Sequence, residues 1–209
     1  MSLPGLPASP TPLLPLNDPP GRSEIYLKLE SLQPVGSFKL RGAQQALDAC
    51  PPEALAQGVW TASAGNMGYA LAWAARRRGV ACTVIVPDDA PHNKLAAIQA
   101  QGAQVWPAPF SIYQEIQRQD STVAFELPPG RLVHPFADPA VIAGNGGLAA
   151  EIVAQLPQVQ AILAPYGGGG LCCGLAQALV ELGSQAQVIA CEVESGAPLT
   201  ASLRAGRTA

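Results

Sequence analysis

Three features of this 209-residue chain predict an α/β fold, with parallel strands flanked by helices. Short apolar runs alternate with helix-length segments from about residue 58 onward, which is the rhythm of strand–helix–strand crossovers. Glycines stand where such helices should stop, at Gly102 and Gly183. Two stretches of small residues, Thr61 to Gly68 and Ala164 to Leu171, each lie between a strand and a helix. In α/β proteins ligands bind at those junctions, outside the carboxyl ends of the strands. With 48% hydrophobic and 13% charged residues, the chain has ample material for a core and does not fit the disordered class.

Taken in order, proline-rich residues 1–20 are expected to form an irregular arm. Glu24 to Glu30 alternates polar and apolar residues, as a half-buried strand does. A helix is expected from Arg41 to Ala49, a strand over Gly58 to Ala62 and a helix over Gly68 to Arg78. Arg76, Arg77 and Arg78 end that helix, where cations suit the helix dipole. Cys82 to Val86 reads as a strand, Pro91 to Gln101 as a helix and Ala103 to Trp106 as a further strand. A helix over Ser111 to Gln119, capped by Ser111, and a short strand over Arg131 to Val133 follow. Asp138 is a good N-cap, with Pro139 at the first position of a helix running to about Leu156. Ala161 to Ala164 is a strand, Leu171 to Leu182 a helix and Gln187 to Glu192 a strand. The polar, proline-containing stretch at about 126–139 is the candidate crossing between two lobes, and no internal repeat is evident.

Composition excludes several classes. Net charge is −3, and no basic stripe with interleaved aromatics appears, so nucleic acid is not an expected partner. Cys50, Cys82, Cys172, Cys173 and Cys191 lack Cys-x-x-Cys spacing and lie mostly in apolar runs, as reduced, buried thiols do; neither a disulfide framework nor a metal site is expected. No apolar run reaches membrane-spanning length, and the first residues lack a secretory pattern, so a cytoplasmic location is expected.

Lysine occurs three times, as Lys28, Lys39 and Lys94. Lys39 stands between a bendable Gly36-Ser37 turn and a helix start. Burial there would lower its pKa and give the neutral amine that attacks carbonyls; a solvated charge is the alternative. At Ser63-Ala64-Gly65-Asn66, small residues and the N–H groups of the following helix suit a carboxylate, and an ordinary tight turn is the alternative. A nucleophile elbow fails there, since Thr61 stands where glycine is needed. Gly167, Gly168, Gly169 and Gly170 carry an entropic cost that a plain connection does not require, and their amides can wrap a phosphate. A Walker motif is absent, and Leu171 breaks the dinucleotide pattern; Glu192, in the place of its ribose-binding acid, keeps a nicotinamide cofactor as the alternative. An amine for an aldehyde, a glycine loop for a phosphate and Asn66 for a ring hydroxyl together match pyridoxal 5′-phosphate.

Lys28-Leu29-Glu30, Leu32-Gln33-Pro34 and Ser37-Phe38-Lys39-Leu40-Arg41-Gly42-Ala43 resemble the lysine region of the threonine/serine dehydratase family, pyridoxal-phosphate enzymes of the tryptophan synthase β-like fold (fold type II). Ser63 to Asn66 resembles that family's carboxylate loop, and Gly167 to Leu171 its phosphate loop. Thr11-Pro12-Leu13, His134-Pro135-Phe136, Val141-Ile142-Ala143-Gly144 and residues 194–206 follow the family pattern too. The resemblance implies a larger lobe made of 1–57 and 139–209, and a smaller lobe made of 58–138. It implies Lys39 as the catalytic, cofactor-bearing residue, with Phe38 near the ring and Asn66 at the ring hydroxyl. Ser63, Ala64, Gly65 and Asn66 would grip the substrate carboxylate, while Gly167, Gly168, Gly169, Gly170 and Leu171 would hold the phosphate. The implied reaction is β-elimination of water from an L-threonine- or L-serine-like amino acid, giving a 2-oxo acid and ammonia, in a homodimer.

Leu40-Arg41-Gly42 favours dehydratases and serine racemases over cysteine and threonine synthases. Ala64 stands where racemases place a second catalytic serine, which favours elimination. Met67-Gly68, Ala137 and Asn145-Gly146-Gly147 depart from the family pattern. Family chains continue past the position of Ala209, so the larger lobe is expected to be incomplete. The alternatives are an inactive or weakly cofactor-binding homologue and a serine racemase-like enzyme. Glu192 matches an acidic position near which some members bind a divalent cation; a single carboxylate makes no metal site.

Overall fold

The computed structural model describes residues 10–21, 23–118 and 125–207; the expectations for residues 1–9 and Gln119 fall outside them. The first element is an antiparallel pair, β1 (Leu13–Pro15), within what the prolines suggested was an irregular arm, and β2 (Tyr26–Lys28), within the expected strand. The pairing tolerates proline because it uses carbonyls there: Leu29 N–H donates to the Pro12 carbonyl at 3.0 Å. β2 is shorter than Glu24 to Glu30 and turned over relative to its polarity. Leu27 is 44% exposed, whereas the Lys28 side chain is 9% exposed, drawn inward by an ion pair with Glu151 at 2.7 Å.

After a single 3-10 turn, α1 (Lys39–Asp48) starts at Lys39, two residues earlier than expected. A one-turn helix α2 (Pro52–Leu55) follows, unforeseen although Pro52 at its first position and Glu53 in its first turn both favour a helix start. Next come β3 (Val59–Ala62), α3 (Asn66–Arg78), β4 (Cys82–Pro87), α4 (His92–Gln99), β5 (Gln104–Ala108), α5 (Phe110–Gln117) and β6 (Arg131–Leu132). Ser111 does not cap α5. Extended Pro109 holds the N-cap position, so Ser111 lies inside the first turn.

Strands β3 to β6 form one all-parallel sheet in the order β5-β4-β3-β6. Alternate residues face opposite layers, as strand geometry requires. Val59, Val84 and Val86 pack with Leu71 of α3 and Ile98 of α4, while Trp60, Ala62 and Ile85 pack with Ile116 of α5. Helices therefore cover both faces of this sheet, as expected.

α6 (Pro139–Gln155) begins as the sequence indicates, with Asp138 Oδ1 accepting the Ala140 N–H at 2.8 Å. β7 (Ala161–Pro165), α7 (Gly170–Glu181) and β8 (Gln187–Cys191) make a second, two-stranded parallel sheet. Here only one face is covered among the described residues. Ile162 and Ala164 pack on Leu148, Ile152, Leu175 and Leu179, but Leu163 is 68% and Ile189 44% exposed. Cys191 shares the face of Ile189 and is therefore exposed rather than buried as expected, and so is Cys173. A last helix, α8 (Pro198–Ala205), was not foreseen; Glu192 organises its start by accepting N–H groups of Leu199 and Thr200 at 2.6 and 3.0 Å.

Helices α1, α6 and α7 pack unusually closely because glycines line their crossings. A Cβ on Gly144 would lie 2.5 Å from the Arg41 carbonyl oxygen, and one on Gly174 would lie 2.2 Å from that of Ile142.

Candidate active site

Each candidate segment ends up at a helix start. Lys39 is the first residue of α1, Asn66 of α3 and Gly170 of α7. The first turn of a helix leaves N–H groups without intrahelical acceptors, which favours anions there.

The Lys39 amine is held rather than free. Its Nζ donates to the Pro135 carbonyl at 3.0 Å and lies 5.2 Å from the centre of the Phe38 ring. Burial lowers its pKa, since an ammonium in a poorly solvated site is disfavoured relative to the amine. Next to Pro135, Phe136 meets the glycine tract: a Cβ on Gly168 would fall 2.2 Å from its ring, and one on Gly170 would fall 2.7 Å from its carbonyl oxygen. Gly169 has φ +83°, a left-handed conformation natural to glycine. Phe38 packs in the same cluster as Tyr166 and Leu171. The structure thus brings Lys39, Phe38 and Gly168 to Leu171 together around the segment 134–137.

His134 fixes that segment and was named in the sequence only as part of a motif. It is buried; its Nδ1 accepts the Ala137 N–H at 3.1 Å, so its proton sits on Nε2, which donates to the Gln117 carbonyl at 3.1 Å. Burial lowers its pKa, and the nearby Lys39 charge adds to this against the raising influence of Gln117 and Asp138. The Gln117 side chain in turn donates to the Ala62 carbonyl, next to Ser63. Ser63 Oγ accepts the Gly65 N–H at 3.2 Å, shaping the loop. Ser63 and Ala64 are half-buried, whereas Gly65 and Asn66 are exposed, and the Asn66 side chain makes no hydrogen bond among the described residues. Hydrogen bonds thus link the Ser63 to Asn66 loop to Lys39 through Gln117 and the 134–137 segment, while α1 and α3 also share one apolar core.

Behind Lys39 lies an ion cluster not foreseen in the sequence. Buried Arg41 donates to Glu30 at 2.8 Å through both Nε and one terminal nitrogen, and to Glu151 at 2.6 and 3.0 Å. Burial works against the guanidinium charge, but these bonds outweigh it and raise the pKa. No sequence signal marks this cluster, because its members lie up to 121 residues apart. A cavity of about 220 Å³ flanks Phe38 and Leu171 on the β7 side, apolar apart from Lys28 and Glu30, and does not include Lys39. No group of three or more metal-ligating side chains exists among the described residues, and Glu192 is occupied with the start of α8. No helix among them is long and apolar enough to cross a membrane.

The pattern of the pyridoxal-phosphate dependent enzyme family matches residues 6–209. This chain belongs to that family. It is 39% identical over 189 residues to an L-threonine ammonia-lyase of Thermotoga maritima, covering 88% of this chain and 45% of that one. It is 41% identical over 181 residues to a serine racemase of Bos taurus, covering 85% and 53% respectively. Among solved structures, serine racemase from Dictyostelium discoideum superposes with a TM-score of 0.77 at 38% identity, over 88% of this chain and 59% of that one. The chain thus spans about half the length of the curated relatives it matches. The fold is that of the fold type II pyridoxal-phosphate enzymes.

The residues present fit this cofactor. A desolvated lysine amine suits its aldehyde, and a Cβ-free tract at a helix start suits its phosphate.

Proposed function

We propose that this chain carries the lysine-bearing site of an ammonia-lyase that removes water from L-serine- or L-threonine-like amino acids. The observation that carries the reading is Lys39: a desolvated amine held by the Pro135 carbonyl beside a glycine-built helix start. Bound at Lys39, pyridoxal phosphate supplies an electron sink for charge developing at the substrate α-carbon. Amides of Gly167 to Leu171 hold its phosphate, and Phe38 borders the ring. Ser63 to Asn66 grip the substrate carboxylate at the start of α3, where N–H groups lack acceptors. The Lys39 amine, whose pKa burial lowers, takes the α-proton and passes it to the departing β-hydroxyl, which leaves as water; the enamine product takes up water to give a 2-oxo acid and ammonia.

Ala64 favours elimination over racemisation. Returning a proton to the opposite face of the α-carbon needs a second acid, and a methyl group offers none. Consistent with two lobes, the four-stranded sheet falls wholly within 58–138; we assign that span to the smaller lobe, with 1–57 and 139–209 in the larger.

The test is spectroscopic and then chemical. Mixing the chain with pyridoxal phosphate should produce the absorption band of an amine-bound aldehyde, absent in Lys39→Ala. Loaded protein should release ammonia from L-serine or L-threonine, and recovered serine should remain L. No band, or a band that persists in Lys39→Ala, refutes the site. A band without ammonia points to a cofactor-binding homologue, and D-serine to a racemase.

A further inference from the structure

Asn145 lies inside the crossing of α1, α6 and α7 and is 1% exposed. Its Nδ2 donates to the Gly170 carbonyl at 3.2 Å, while its Oδ1 is buried without a partner among the described residues. Two glycines make room for it. A Cβ on Gly42 would lie 3.2 Å from Asn145 Oδ1, and one on Gly174 would lie 3.1 Å from Asn145 Cβ. An orphaned buried acceptor costs stability, so stability does not account for an asparagine here.

We infer that Asn145 is a positioning residue for the anion-binding end of α7, an inference that rests on the cofactor reading above. The first intrahelical bond of α7 runs from Cys173 N–H to the Gly169 carbonyl at 2.9 Å, so the N–H groups of Gly170, Leu171 and Cys172 have no intrahelical acceptor. The Gly170 carbonyl and the Leu171 N–H belong to one planar peptide unit and point in opposite directions. Holding the carbonyl therefore aims the Leu171 N–H out of the helix start, toward the phosphate. Asn145 does not touch the cofactor; it sets the direction of a donor that does.

The test compares aldehydes with and without a phosphate. Asn145→Leu is close in size, removes the orphaned oxygen and should keep or raise the melting temperature. Its affinity for pyridoxal phosphate should fall roughly ten-fold, the weight of one well-aimed bond to a charged group, while its affinity for pyridoxal should not change. Asn145→Ala serves if leucine overpacks the crossing, with the same expected split. Equal losses for both aldehydes, or none for either, overturn the inference and leave the cofactor reading intact. Titration with inorganic phosphate, followed at the Leu171 amide by NMR, separates the two ideas. A strong shift in the wild type, weakened in Asn145→Leu, supports the positioning role even if neither aldehyde binds; no shift in the wild type overturns it.

Discussion

Replacing Arg41 by methionine should destabilise the protein by about 3 kcal/mol near neutral pH. Arg41 bonds Glu30 twice at 2.8 Å and Glu151 at 2.6 and 3.0 Å, and the side chains of these partners are only 14% and 18% exposed. Breaking a buried pair by removing one partner costs about 3–5 kcal/mol, because a charge is left uncompensated. Lys28 still pairs with Glu151 at 2.7 Å, and both carboxylates keep some solvent, which favours the lower end of that range. Urea unfolding measures the loss directly. The pH dependence gives a second reading. Burial pushes the Glu151 pKa up, but bonds from Arg41 and Lys28 more than reverse this, so its native pKa lies below the usual 4.5. Such a group contributes stability that is present above the unfolded pKa and lost as pH falls through the native one. Arg41's share of that contribution vanishes in the variant, so the gap between wild type and variant should narrow in acid. A loss under about 1 kcal/mol near neutrality, the scale of an exposed pair, would refute the argument, as would a gap unchanged in acid.

Two other substitutions test the surroundings of Lys39. Gly168→Ala places a Cβ 2.2 Å from the Phe136 ring and must displace it; pyridoxal phosphate titration should show affinity at least roughly ten-fold weaker, and unchanged affinity would contradict a glycine-specific loop. His134 has a native pKa lowered from 6.5 by burial, so its contribution is present above that value and lost as pH falls through the lowered one. His134→Gln keeps polar groups but does not titrate, so unfolding curves between about pH 7.5 and 5 should lose stability less steeply than the wild type; equal slopes would show that His134 does not carry this dependence.

What was legible in the sequence was local. Apolar strands β3, β4, β7 and β8, the Asp138 cap and the small-residue loops are each encoded within a few neighbouring residues. The β1–β2 pair was obscured because proline normally argues against a strand, while the carbonyls of Pro12 and its neighbours still pair. Helix α8 carries only brief local signals, Pro198 at the first position and Gly206 just past the end, in a stretch with no buried residue to give it an apolar period. His134, Gln117 and Glu151 could not be read locally. A histidine in a loop near a proline says nothing about a carbonyl 17 positions away in a helix, and only the fold joins Glu151 to Arg41.

The close crossing of α1, α6 and α7 explains why so many glycines lie outside the glycine loop. Gly42, Gly144, Gly146 and Gly174 let three backbones approach, and the approach sets where the first residues of α1 and α7 stand. Asn145 shows how little slack remains: it reaches Gly170 at 3.2 Å, so a separation of α6 from α7 by about 1 Å would break the bond. Displacements of that size can cost about a hundred-fold in an enzymatic rate. A methyl on Gly174 would meet the Ile142 carbonyl oxygen at 2.2 Å and force such a separation. These glycines therefore act as spacers that fix the distance between the Lys39 amine and the start of α7, and the geometry of the proposed site is inherited from helix packing rather than from the loops alone.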